Sequence, residues 1–142
     1  VGYPAFDLSS AAGEEKWLGG TFPAAGVLAL TSWVNSHQAT VQKVVDAMVA
    51  TMHWIHTHNA TDIADNMPDT FVNNGVTTKA DYIAALTTDI GQFGADGTMP
   101  ADGPPTVLKV EQFNGNVTTP VNLSETYTNS FVDKAKSLEG LS

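Results

Sequence analysis

The chain contains neither cysteine nor arginine. Without cysteine, its 142 residues cannot form a disulfide scaffold, a cysteine zinc site or a cysteine nucleophile. Fifteen Asp and Glu residues outnumber six Lys residues, and the resulting net charge of −9 repels phosphate backbones and anionic lipid surfaces. The composition therefore argues against nucleic acid as a partner.

Long apolar runs are also missing. The best candidate, residues 27–34, is interrupted by Thr31 and Ser32, whereas a membrane span needs roughly 18 consecutive apolar residues. Val1 to Pro4 show neither an initiator Met nor the charged-then-apolar pattern of a signal peptide, which predicts that the natural N-terminus lies upstream. With 142 residues and 42% apolar content, we expect one domain or a piece of one.

Two short strands are predicted, at Tyr3–Leu8 and Ala25–Leu30, with a short helical or irregular piece at Glu14–Leu18 between them. A lone pair of strands is marginal in water. We therefore expect the remaining strands to come from an absent N-terminal part or from a second copy of the chain.

About five helices are predicted in all. Ser36 is the expected N-cap of a long helix ending near His58, with an apolar stripe formed by Val41, Val44, Val45, Met48, Met52 and Ile55. The class predicted is α/β, helix-rich, with one or two short strands.

Further helices are predicted from N-cap residues and from the positions of Pro. Asn59 or Thr61 is expected to cap a short helix ending before Pro68, and Thr77 or Thr78 to begin a helix whose apolar stripe is Tyr82, Ile83, Leu86 and Ile90. Pro104 and Pro105 suit the first turn of a helix through about Phe113, after turns at Asp96-Gly97 and Asp102-Gly103. The last helix is expected to begin near Ser124 and to carry Tyr127, Phe131 and Leu138.

A histidine cluster closes the long helix. His53 and His56 are three residues apart and could project from one face as metal ligands, with His58 and Asp62 close behind. Alternatively, the imidazoles interact with the dipole at the C-terminal end of the helix. The pattern lacks the fixed third ligand of a typical metal site, which favours the second interpretation.

Catalytic motifs are not found. No Ser lies in a Gly-x-Ser-x-Gly elbow, and Gly19-Gly20 lacks the Lys and helix start of a phosphate-binding loop. Asp7, Glu14 and Glu15 have no local partner that would tune an acid/base pair. The sequence predicts no catalytic residue, no metal and no cofactor.

Four segments, taken in order, resemble a known family. They are Asp7–Ser9, Gly19–Pro23, the helix 39–56 and Leu123–Val132. Together they look like the C-terminal half of solute-binding proteins of ABC importers, and most like the branch for nitrate, sulfonate, taurine and pyrimidine precursors. The resemblance runs from about Asp7 to Ala135.

The resemblance implies a type II periplasmic-binding-protein fold. In that family two α/β lobes are joined by crossing segments, and the solute held in the cleft is delivered to a membrane permease. Residues 1–23 would form the end of the second lobe and the return crossing, residues 24–142 the C-terminal part of the first lobe, and the N-terminal half would be missing. Such a protein is exported to the periplasm or cell exterior, either soluble or lipid-anchored.

The same resemblance implies ligand-binding residues near the crossing. Thr21 would offer a hydroxyl and backbone N–H groups, Phe22 an apolar wall, and Asp7 lies close to the same segment. The alternative is a plain tight turn with a packing aromatic. Because this half has no Arg, an anionic solute would have to find its donors elsewhere.

The expected function is therefore solute binding without catalysis. One alternative is an enzyme on the same fold, resembling the pyrimidine synthases of thiamin biosynthesis or a sulfinate-cleaving hydrolase. Another is a small helical interaction module. Turnover of the bound molecule separates the enzyme from the binding protein, and the size of the natural product separates both from the module.

Overall fold

The structure is a computed structural model that describes residues 5–141. These residues form eight α-helices and no β-strand. The helices are α1 (Ala11–Leu18), α2 (Thr31–Ser36), α3 (Gln38–Thr57), α4 (Ala60–Asp65), α5 (Asp69–Val72), α6 (Lys79–Asp89), α7 (Gly103–Phe113) and α8 (Ser130–Glu139). Two 3₁₀ turns are also present, at Ile90–Gln92 and Leu123–Glu125. The predicted α/β class and the count of about five helices are both wrong for the described residues.

Both strand predictions fail because a strand needs a paired neighbour. Ala25–Leu30 has the apolar composition of a buried strand, but no other segment within residues 5–141 pairs with it, and it runs exposed between α1 and α2. In Tyr3–Leu8, the first two residues lie outside the described part. The remainder is unpaired, with Phe6 packed edge-on against Trp17 at 5.1 Å between ring centroids.

The predicted long helix is divided at His37. Its ring stacks on Trp33 at 4.6 Å, and its Nδ1 lies 2.9 Å from the Trp33 carbonyl oxygen, which ends α2. Ser36 is therefore the last residue of α2 and not the N-cap of the long helix. His37 precedes α3 and makes no side-chain capping bond to it.

Helix α3 packs mainly against α8. Val49 of α3 and Ala135 of α8 are fully buried, and Gln42 Nε2 donates to the Phe131 carbonyl oxygen at 2.8 Å. The apolar stripe predicted for this helix is only partly buried, since Val44 and Met48 remain nearly half exposed. The predicted stripe omitted Val49, which is the buried residue of α3.

A second packing unit joins α4 to α6. Asn59 and Asp62 form the capping box of α4, and Thr78 and Asp81 form that of α6. Of the two caps that the sequence left open for each helix, the structure thus uses Asn59 and not Thr61, and Thr78 and not Thr77. The small core between these helices contains Ala60, Ile63 and Leu86, with Trp54, Ile55, Tyr82, Ile83 and Ile90 packed against it.

The C-terminal part is tied to the loop that precedes α7. Asn129 pairs with the backbone of Met99, accepting from its N–H at 2.9 Å and donating to its carbonyl oxygen at 3.1 Å. Lys136 of α8 forms an ion pair with Asp96 at 2.6 Å, which holds the pKa of Asp96 below its usual value. Helix α7 spans Gly103–Phe113, as predicted, whereas the last helix begins at Ser130 and not near Ser124.

Candidate binding site at the crossing segment

The crossing segment Gly19–Pro23 leaves α1 through a sharp turn. Gly19 has a left-handed backbone with φ of 79°, and its N–H donates to the carbonyl oxygens of Glu14 and Glu15. A left-handed residue at the end of a helix is usually Gly because a Cβ is disfavoured there. The turn redirects the chain toward α7.

Two carboxylates hold the next two residues. The N–H of Thr21 donates to Asp102 Oδ2 at 2.8 Å, and the N–H of Phe22 donates to Glu14 Oε2 at 3.2 Å. Glu14 belongs to α1, whereas Asp102 immediately precedes α7. The crossing segment is therefore hydrogen-bonded to α1 and to the residue that precedes α7, although these two helices lie far apart in the sequence.

Gly20 allows this close approach to α7. A Cβ at this position would collide with Thr106 Oγ1 and lie 3.3 Å from Asp102 Oδ2. Thr106 is buried, and its hydroxyl donates to the Asp102 carbonyl oxygen at 2.8 Å, so it cannot move aside freely. Only a residue without a side chain fits between the crossing and α7.

The electrostatics around the crossing are acidic. The N–H of Thr21 holds the pKa of the Asp102 carboxyl below its usual value. The Ser9 hydroxyl, at 2.6 Å, does the same for the pKa of Asp7, whose backbone carbonyl packs against Gly13 next to Glu14. Lys109 brings a positive charge near Gly19. At neutral pH the segment is thus bordered by ionised Asp102, whereas the Asp7 carboxylate is bonded to Ser9.

The sequence-predicted site residues occupy this region. Thr21 and Phe22 are half-buried in the crossing, and Asp7 lies against the first turn of α1, the same turn that supplies Glu14. The backbone N–H groups expected to serve a ligand are bonded to Asp102 and Glu14 instead. The Thr21 side chain also contributes to lowering the pKa of Asp102, so the group that remains open for a ligand is the Phe22 ring.

The sequence did not indicate the roles of Asp102, Glu14 and Thr106. Asp102 had been interpreted as a turn residue and Glu14 as lacking a partner. The bond from Thr21 to Asp102 spans 81 positions, which no local pattern reveals. The one local signal is that an Asp before a helix that begins with Pro is expected to cap that helix. The Asp102 side chain makes no capping bond and accepts a hydrogen bond from Thr21 instead.

An apolar groove continues from the crossing along α7. Its volume is about 270 Å³, and it is lined by Pro23, Met99, Pro104, Val107, Leu108, Glu111, Val117, Val121, Leu123, Thr126 and Tyr127. Pro23 directly follows the bonded residues, so the groove and the crossing are contiguous. Its size is slightly below the usual range for a small-molecule pocket, about 300 to 1,000 Å³.

A larger open cleft of about 540 Å³ lies between the start of α4 and the end of α6. Its polar groups are already used by the helix cap: Asn59 Oδ1 accepts from the N–H groups of Thr61 and Asp62, and Asp62 accepts from the N–H of Asn59. This cleft therefore offers a ligand few free polar atoms.

His56 and His58 make structural contacts. His58 stacks on Trp54 at 4.2 Å with Nδ1 2.7 Å from the Trp54 carbonyl oxygen, and His56 Nε2 lies 2.9 Å from the Phe93 carbonyl oxygen. Across residues 5–141, no three potential ligands from His, Asp and Glu come together as a metal site would require. None of the helices described is long and apolar enough to cross a bilayer.

No protein-family model and no curated protein matches the sequence. The fold is similar to that of a solved structure of a protein from Bordetella bronchiseptica RB50, with a TM-score of 0.79 and 23% identity. The matched region covers 96% of this chain and 42% of that one. The chain thus spans less than half the length of the Bordetella protein, and at this identity the likeness concerns the fold alone.

Proposed function

We propose that this chain is part of the solute-binding component of an ABC importer and that its crossing segment forms one wall of the solute site. The observation that carries the proposal is the pair of bonds from Thr21 to Asp102 and from Phe22 to Glu14. They fix a chain crossing in place while leaving the Phe22 ring unbonded to either carboxylate. Fixed polar and aromatic groups beside a crossing suit a ligand wall.

Two further findings support the proposal. The segments around Asp7, Gly19–Pro23 and Leu123–Val132 resemble the solute-binding family, and the fold is shared with a chain more than twice as long. A solute-binding protein with two lobes needs a second part to close its cleft. The permease and the periplasmic or extracellular location belong to the same proposal.

The charges around the crossing segment indicate which charge the solute should carry. Anion sites use free backbone N–H groups, Arg or helix N-termini. Here the N–H groups of Thr21 and Phe22 are already bonded to carboxylates, and the chain has no Arg. This wall therefore suits a small neutral or cationic polar solute better than nitrate or a sulfonate.

Thermal shift tests this choice on the natural gene product, after bound molecules have been removed by unfolding and refolding. The panel contains an aminopyrimidine and a polyamine on one side, and nitrate and an alkanesulfonate on the other. We expect stabilisation by a neutral or cationic member, since a ligand that binds only the folded state raises its stability. Stabilisation by the anions alone would refute the assignment of solute class.

Recovery of the solute tests transport against catalysis. After prolonged incubation, mass spectrometry of the released molecule should show the solute unchanged. Conversion to a product would favour the enzyme alternative.

A further inference from the structure

Asn is followed by Gly at two places in the chain, Asn74-Gly75 and Asn114-Gly115. At such a pair the backbone nitrogen of Gly can attack the side-chain amide carbon of Asn, because Gly has no Cβ to obstruct the approach. Both pairs are exposed, and both glycines have a left-handed backbone, with φ of 84° and 75°. The two pairs can therefore be compared directly.

The attacking nitrogens differ in their hydrogen bonds. The N–H of Gly115 donates to the carbonyl oxygen of Gln112 at 3.1 Å, in the turn that ends α7. The N–H of Gly75 donates to no protein group within residues 5–141. An amide that donates a hydrogen bond must give up that bond before its proton is removed, so Gly75 supplies the more available nucleophile.

The attacked carbon of Asn74 is polarised by the backbone that follows it. Asn74 Oδ1 accepts from the N–H of Val76 at 3.1 Å and from the N–H of Thr77 at 2.9 Å. Two backbone N–H groups on one carbonyl oxygen stabilise the negative charge that develops there when a nucleophile adds to the carbon. The same arrangement therefore favours attack at Cγ of Asn74.

These bonds also keep the two reacting atoms near each other. The hydrogen bond from Val76 closes a ring that contains both Cγ of Asn74 and the nitrogen of Gly75. The N–H of Asn74 donates to the Thr77 carbonyl oxygen at 3.2 Å, which holds the turn closed. The side chain of Asn114 makes no hydrogen bond to any other described residue, so no such ring fixes its position.

We propose that Asn74 is a site of spontaneous deamidation and isoaspartate formation. The Gly75 nitrogen loses its proton to hydroxide and bonds to Cγ of Asn74. The bond from Cγ to the side-chain nitrogen then breaks, and that nitrogen takes up a proton from water and leaves as ammonia. Water opens the resulting succinimide, giving aspartate by attack at Cγ and isoaspartate by attack at the backbone carbonyl carbon. The net reaction consumes water and releases ammonia.

The product changes both the charge and the path of the chain before α6. Either acid adds a negative charge to a chain whose net charge is already −9. Isoaspartate also places Cβ of residue 74 in the backbone, which alters the turn leading to Thr78, the N-cap of α6. The reaction needs no solute and no partner, so this inference is independent of the proposed function.

Peptide mass spectrometry of the full protein, incubated at physiological pH and temperature, tests the proposal. Fragmentation that distinguishes isoaspartate from aspartate gives the converted fraction at each Asn over time. We expect Asn74 to react at least about tenfold faster than Asn114, because only the nitrogen that attacks Asn114 must first give up a hydrogen bond. Asn74→Gln, whose attack would need a larger ring, should abolish conversion at residue 74 and leave that at Asn114 unchanged.

The same incubation in guanidinium chloride separates the effect of the fold from that of the local sequence. Unfolding removes the hydrogen bonds at both pairs, so we expect the two rates to become similar. The proposal would be overturned if Asn114 reacts as fast as Asn74 in the native protein, or if neither reacts in the time that the unfolded chain needs. An equal advantage of Asn74 in the unfolded chain would also overturn it, since the fold would then contribute nothing.

Discussion

The carboxylate of Asp102 accepts a 2.8 Å hydrogen bond from the backbone N–H of Thr21, which joins residues 81 positions apart. This bond and the 3.2 Å bond from Phe22 to Glu14 attach the crossing segment to α7 and α1. The crossing is therefore held by side chains and not by a sheet. Its position depends on two acidic groups and on one glycine.

Replacing Asp102 with Asn tests the first of these bonds. Asn keeps the size and an acceptor oxygen but loses the charge that strengthens the bond. We expect the melting temperature to fall more than for Asp89→Asn, which removes an exposed carboxylate at the end of α6. Equal melting temperatures for the two variants would show that the Asp102 charge does not hold the crossing.

Gly20→Ala should separate the crossing from α7. The added Cβ collides with Thr106 Oγ1, and we expect a loss of about 1 to 3 kcal/mol in the free energy of unfolding. Gly26→Ala is the matched control, because no atom lies within 4 Å of its added Cβ. The control should be neutral or slightly stabilising, by up to about 1 kcal/mol. Denaturant unfolding of both variants gives the comparison, and an unaffected Gly20→Ala would contradict the contact.

Low pH should remove the contribution of the Asp102 carboxylate to the free energy of unfolding. Its pKa in the folded chain lies below the ordinary value of 3.8 because Thr21 donates to its charged form. Its contribution to stability is therefore complete above about pH 4 and is lost as the pH falls through the lowered value. The stability difference between wild type and Asp102→Asn, measured by urea unfolding, should shrink progressively as the pH is lowered below 3.8. A difference that stays constant down to the lowest pH at which both proteins fold would refute the electrostatic origin.

Leu86 and Leu138 offer a matched pair for the core between α4 and α6. Leu86 is 9% exposed and packs in that core, whereas Leu138 is 73% exposed on α8. We expect Leu86→Ala to cost about 2 to 4 kcal/mol and Leu138→Ala no more than about 0.5 kcal/mol. Similar costs for the two variants, measured by chemical denaturation, would mean that this core is not formed as described.

The cap of α6 gives a smaller effect. Thr78 Oγ1 accepts from the N–H of Asp81 at 3.2 Å and donates to its carboxylate at 2.6 Å. Thr78→Ala should cost about 1 kcal/mol. Thr88→Ala, on the exposed side of the same helix, should be neutral or slightly stabilising because Ala favours the helix. The order of the two melting temperatures checks the cap.

Local signals predicted the elements that depend on local chemistry. Thr78 and Asn59, each one of the two caps considered for its helix, bond to partners within four residues in the sequence, and α7 carries Pro in its first turn, as predicted. Such bonds form in the same way whatever the rest of the chain does, and these predictions were confirmed.

The predictions that failed depend on contacts between residues distant in the sequence, or on a Trp–His pattern that occurs twice in the chain and was not used. Ala25–Leu30 reads as a strand, yet pairing is a property of two segments and not of one. The break at His37 was signalled by a repeated pattern: Trp33 with His37 and Trp54 with His58 both place a stacked imidazole on the carbonyl four residues earlier. The carboxylates of Asp102 and Glu14 were invisible because their partners are fixed only by the fold.

The most direct test of the proposed solute site is calorimetric titration of the natural protein with the solute from the panel that stabilises it most. The variants are Thr21→Val, which removes the hydroxyl and keeps the backbone N–H, and Phe22→Leu, which removes the ring. We expect each to weaken binding at least about tenfold, or roughly 1.4 kcal/mol, while the exposed control Val76→Ala binds like wild type. Wild-type affinity in both Thr21→Val and Phe22→Leu would contradict a solute site at the crossing.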